Sequence, residues 1–168
     1  MAGIKGELAK LSRLSRQIKG LSEAKWRAAA GKAMGATALK LVSDGFRLQH
    51  DPQGKPWKQL ADKTKSARRT GKRGSKAKRK RAHKILLNTG RLRASFSAKP
   101  SSGGFTVSSK AVYAAVHQFG HTFKRGTGTQ RVDARPMVPT KKLGKTWELA
   151  LAKSAKRALE IQVAKGKR

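Results

Sequence analysis

Cysteine is absent from this 168-residue chain. That excludes a disulfide scaffold, a thiol nucleophile and a zinc site built on cysteine. It leaves the redox compartment open. Acidic residues are scarce: 8 Asp and Glu stand against 41 Lys and Arg, for a formal net charge of +33. Aromatics are few. Trp26, Phe46, Trp57, Phe96, Phe105, Tyr113, Phe119, Phe123 and Trp147 are all there is to anchor a core. Long apolar runs are missing too, and nothing approaches the roughly 20 apolar residues that cross a bilayer. From Met1 to Gly20, Lys or Arg at positions 5, 10, 13, 16 and 19 breaks any signal-peptide apolar region. We expect a protein that stays where it is made. The length fits one domain, 1–168, with tails, and excludes a large multidomain enzyme.

What is present is positive charge. A chain this basic repels itself unless something anionic neutralises it. Nucleic acid, an acidic protein surface and an anionic membrane are the candidates. Hydrophobic residues make up 37% of the chain, much of it alanine, so the core is modest.

Periodicity divides the chain into elements. Ile4, Leu8, Leu11, Leu14 and Ile18 recur at three- and four-residue steps and predict an amphipathic helix over 4–20, with Gly20 as its stop. Such stripes are usually core faces, and docking on a neighbouring subunit is the alternative use. Ser22 can cap a second helix that runs to about Gln49, with Trp26, Ala30, Ala33, Thr37 and Leu41 on one side. Its small residues, Gly31 and Gly35 among them, would let another backbone approach closely. Asp51 to Trp57 is a turn cluster.

Residues 63–84 carry the densest charge: twelve of 22 are Lys or Arg and none is acidic. They are Lys63, Lys65, Arg68, Arg69, Lys72, Arg73, Lys76, Lys78, Arg79, Lys80, Arg81 and Lys84. Such a run cannot bury itself, and we expect a mobile anion-binding arm or loop. Asn88 or Thr89 can cap a short helix through Ala94. Phe96 and Ala98, then Phe105 and Val107, alternate around a Pro100-Ser-Ser-Gly-Gly104 turn and predict a β-hairpin. Residues 111–119 predict a short helix with Val112, Ala115, Val116 and Phe119 inward and Gly120 as its cap. His121 to Gln130 reads as a basic loop, and Val132 to Pro139 as an extended segment. A last helix spans about Leu143 to Ala164, with Trp147, Leu151, Ala155, Leu159 and Val163 inward. Lys165 to Arg168 form a basic tail.

Catalytic patterns find no support. No two of the eight carboxylates stand at a spacing that reads as an acid–base pair. His117 and His121 are four apart, but Gly120 falls between them, and no acid or Cys completes a zinc set. No P-loop, dinucleotide fingerprint or nucleophile elbow occurs. A metal-dependent nuclease would suit the charge, yet it needs clustered metal ligands. We expect no enzyme, no cofactor, no metal and no small-molecule substrate. The charge suits phosphate contact but supplies no sequence-reading motif.

Four motifs follow one another in order: Asp51-Pro-Gln-Gly-Lys-Pro-Trp57, Leu87-Asn-Thr-Gly-Arg-Leu-Arg93, Tyr113-Ala-Ala-Val-His-Gln-Phe-Gly120 and Ala134-Arg-Pro-Met-Val-Pro139. Together they resemble the virion morphogenesis, or tail-completion, family of tailed bacteriophages, over about residues 22–160. The long basic stretch at 63–84 is the departure. The resemblance implies an α+β fold: a small antiparallel β-sheet packed by a long helix in the N-terminal half and a C-terminal helix, with a long basic loop. It implies a structural protein that completes the head-proximal end of the tail and supports head–tail joining. Related neck proteins form rings, often of six, around the DNA passage, and the resemblance implies repeated subunits of that kind here.

The implied partners are further copies of the chain, neighbouring neck and tail proteins, and genomic DNA in the channel. No membrane is expected among them. The implied location is the virion, at the head–tail junction or tail end, with assembly in the host cytoplasm. The family-motif or subunit-interface candidates are Pro56, Trp57, Thr89, Gly90, Arg91, Leu92, Tyr113, His117, Gln118, Phe119, Gly120, Arg135 and Pro136. Of these, Gly90 and Gly120 would take backbone shapes closed to other residues, and Tyr113, Val116 and Phe119 would pack against the hairpin. His117 and Gln118 would hydrogen-bond at a subunit boundary or within one subunit. Arg135 would offer a forked donor to a carboxylate. The competing interpretation is a non-specific nucleic-acid-binding protein of ribosome or nucleoid, which leaves the ordered motifs unexplained.

Overall fold

The structure is a computed structural model that describes residues 23–62, 64–66, 84–101 and 104–165. The predicted helix at 4–20 lies outside these residues, as do Lys63, the stretch 67–83 and the tail beyond Lys165. Helix α1 spans Glu23–Leu48 and α2 spans Arg91–Ala94. Strands β1 (Phe96–Ser101) and β2 (Gly104–Ser109) form the first hairpin. Helix α3 (Ala114–Phe119) leads into β3 (His121–Arg125) and β4 (Gly128–Val132), and α4 covers Lys145–Lys165. The fold is α+β, with its sheet content divided over two antiparallel two-stranded ribbons.

Contacts cluster these elements into two compact units. Of the described residues, one holds 23–37, 98–101, 104–106 and 150–165. In it Ala30, Leu151 and Ala158 are buried, and Thr37 Oγ1 donates to Ser154 Oγ at 3.0 Å, tying α1 to α4. A Cβ on Gly31 would collide with the carbonyl oxygen of Gly104, and one on Gly35 would come within 3.1 Å of Ala98 Cβ. The backbone approach expected from the small residues of α1 is thus made by β1 and β2. The inward seam of α4 is Trp147, Leu151 and Ala158, while Leu159 is exposed. A strict four-residue step overshoots the 3.6-residue turn, which is why the expected seam drifts off.

The other unit holds the described residues 38–62, 64–66, 84–97 and 107–149. Its centre is Phe46, fully buried, edge-on to Trp57 at 5.5 Å between ring centroids and tilted against Phe96 at 6.1 Å. Such aromatic pairs add to the area they bury. Ala38, Val42, Ile85, Leu87, Leu92, Ala114 and Met137 are also buried. Helix α1 ends at Gln49, whose φ of +65° is unusual for a residue with a side chain. Its amide nitrogen donates to the Phe46 and Ile85 carbonyls, and its amide oxygen accepts from the Ile85 N–H. The next turn is built on Asp51, whose Oδ1 accepts from the N–H groups of Gln53 (2.9 Å) and Lys55 (2.8 Å).

Four local expectations need correction. His121–Gln130 is not a loop: β3 pairs with β4 from His121↔Val132 to Arg125↔Gly128, around Gly126 at φ +62°. Its strands carry too few apolar residues to show an alternation. The N-cap position of α2 is Gly90 at φ +80°, not Asn88 or Thr89, although Thr89 Oγ1 accepts from the Arg91 N–H at the helix start at 3.4 Å. Of the stripe expected to face inward, Val112, Ala115 and Phe119 are exposed and Val116 is half-buried. Val112 is 95% and Phe119 68% exposed, whereas Ala114 and Gln118 are buried. Finally, residues 64–66 are helical within what reads as an irregular arm.

Gly31→Ala tests the backbone approach in the first unit. On an exposed helix this change stabilises by about 1 kcal/mol. Here it should destabilise by about 1–3 kcal/mol through overpacking, read as a lower urea midpoint.

Candidate functional site: the motif groove

Residues 133–139 have no regular secondary structure, and Arg135 and Met137 are buried within them. Buried backbone polar groups need partners, and here side chains supply several. Gln118 lies on α3 and is 7% exposed. Its Oε1 accepts from the N–H groups of Met137 (2.8 Å) and Val138 (3.2 Å), and its Nε2 donates to the Val138 carbonyl at 2.7 Å. The Trp57 indole Nε1 donates to the Pro136 carbonyl at 2.9 Å. The Arg135 N–H donates to the His117 carbonyl at 2.6 Å.

The Arg135 guanidinium, also buried, was expected to meet a carboxylate. It instead donates to the main-chain carbonyls of Lys58 (Nε, 3.1 Å) and Gln59 (Nη2, 3.4 Å). Residues 58 and 59 belong to no regular element, so their carbonyls are open to a side-chain donor. Gly120 completes the frame at φ +75°, where an added Cβ would lie 3.0 Å from Ala134 N and Val132 O.

These contacts leave a groove of about 640 Å³ beside the staples. Every motif reaches it or the residue after it. Lys58, Gln59 and Leu60 follow the first motif. Asn88, Thr89 and Leu92 come from the second, Tyr113 and His117 from the third, and Arg135 from the fourth. Tyr113 is 45% exposed and its ring stands edge-on to His117 at 6.1 Å. Val116 is half-buried, but neither Tyr113 nor Phe119 is a core residue as expected. Pro56 pairs with His50 in an isolated bridge, and Arg91 is exposed. Of the basic arm, Lys65 is described and pairs with Asp62 at 3.1 Å, and Lys84 is exposed.

Three contributors escaped the sequence reading: Leu86, Arg131 and the ion pair of Lys58 with Asp133. Lys58 Nζ donates to Asp133 Oδ1 at 3.1 Å. This bond is the main cause that holds the Asp133 pKa below its ordinary 3.8; desolvation opposes it, and the charges of Lys58, Arg135 and Arg131 add to it. Among the described residues no three His, Cys, Asp or Glu side chains come together to hold a metal ion. No described helix is long and apolar enough to cross a membrane.

Residues 9–146 match the phage virion morphogenesis family, a family of virion structure and assembly. The chain belongs to that family. Neither a curated protein nor a solved structure gives a significant match.

Two outcomes test the site's construction. Gln118→Leu would strand two N–H groups and a carbonyl, and should cost about 3 kcal/mol or more in urea unfolding. Phe119→Ser, next to it but exposed, should change stability by no more than about 0.5 kcal/mol. The Asp133 carboxyl should titrate below 3.8 by carbon NMR, and Lys58→Ala should raise its midpoint. Because the folded pKa is lowered, the stabilisation is present above the unfolded value and lost as pH falls through the folded one.

Proposed function

We propose that this protein completes the head-proximal end of the phage tail and supports head–tail joining, as repeated subunits of a neck or tail ring. The observation that carries the proposal is membership of the phage virion morphogenesis family over residues 9–146. It acts by shape, through contacts with copies of itself and with neighbouring neck and tail proteins, and not by catalysis. Its place is the virion, reached by assembly in the host cytoplasm.

Two features support repeated contacts. The outward stripe of Val112, Ala115 and Phe119 has the spacing of a core face, yet it has no cover within the described subunit. In a ring it would be covered by the next copy. The +33 charge is the second feature. A ring multiplies each basic segment, so weak contacts with channel DNA or acidic neighbours add up by avidity. The same charge favours a second reading, a non-specific nucleic-acid-binding protein of ribosome or nucleoid.

A phage that lacks this protein should yield filled heads and separate tails by electron microscopy. Adding the purified protein to that lysate should restore joined particles and infectivity. Normal joined particles from the null phage would refute the proposal.

A further inference from the structure

We propose that the motif groove docks an extended acidic peptide segment, with Arg131 taking its carboxylate and the leucine wall taking an apolar side chain. Among the described residues the groove holds three cations, Lys58, Arg131 and Arg135, against one carboxylate, Asp133. Two of the cations are committed, Arg135 to main-chain carbonyls and Lys58 to Asp133. Arg131 is exposed on β4; its charge acts on Asp133, but the close ion pair of Asp133 is with Lys58. Its planar fork matches a carboxylate.

The wall decides between protein and nucleic acid. Leu60, Leu86, Leu92 and Val132 line the groove together with the Asp133 carboxylate. A phosphate backbone would leave these apolar groups unused. A peptide with alternating acidic and apolar side chains would use both faces of the groove, while main-chain groups could bond to Asn88 and Thr89.

Leu86 is the independent sign of a working surface. Its φ is +58°, a conformation that disfavours leucine. It is held there by the Gln49 amide, which brackets the N–H and carbonyl of the preceding Ile85. Strain retained in this way concentrates at binding sites, and here it sets a leucine in the groove wall. That the peptide belongs to a neighbouring virion protein rests on the assembly role; the groove's chemistry does not.

The test is fluorescence anisotropy on the full chain at physiological salt. The probes are a labelled octapeptide of alternating Asp and Leu, its Asp–Ser counterpart, and an oligodeoxynucleotide of equal charge. The Asp–Leu probe should bind more tightly than the other two. Arg131→Glu should weaken it about tenfold, and Lys153→Glu, the same charge change on α4, by less than about twofold. Thr89→Phe, which blocks an exposed rim position without a charge change, should also weaken it. Equal losses from Arg131→Glu and Lys153→Glu would overturn the proposal. So would equal binding of the Asp–Ser probe, or an oligonucleotide that binds best and is the one lost in Arg131→Glu. Any of these failures would leave the assembly role standing, since that role is decided by whether particles of the null phage join.

Discussion

The segment from Arg135 to Val138 alternates between buried and half-buried residues outside any strand, and the motif unit depends on how its main chain is satisfied. An unpaired buried N–H or carbonyl costs as much as a lost hydrogen bond or more. Gln118 answers with three bonds, Trp57 with one, and the His117 carbonyl with another. Arg135 then reaches back from the same segment to residues 58 and 59. Three of the four motifs are therefore one object, a set of side chains that stands in for a missing strand. Leu87 and Leu92 of the remaining motif are buried in the same unit, and Leu92 lines the groove.

This construction explains why a chain with so modest a core can hold a groove open. Directional polar contacts fix the 135–138 segment, so the apolar residues left over are free to face outward. The exposed stripe on α3 and the leucine wall of the groove are the result. The high positive charge belongs with this economy. It keeps copies of the chain apart until an anionic or acidic neighbour offsets it.

The long elements were legible from local pattern. Helix α1, the first hairpin and α4 show their period clearly, and the turn at Asp51 shows its chemistry. The period of α3 was legible too, but a period says that one face is apolar and not what covers it. Hence Val112 and Phe119 were placed inward when they face out. The second hairpin was missed because His121–Val132 carries little apolar alternation to mark it. The site was legible only in part. Trp57, Gln118 and Arg135 stood out through motif order, yet their roles lie in contacts 79, 20 and 77 residues away. Gln49 reaches 36 residues to Ile85, and no local signal marks such a pairing.

If the motif unit is a docking frame in the virion, the protein must reside in the finished particle. The most direct measurement is gradient fractionation of an induced lysate with an immunoblot for this chain. The account predicts signal in the tailed-particle band that survives nuclease and high salt. Signal with ribosomes or nucleoid that washes off in salt would contradict it, and would make the charge, not the motif frame, the source of function.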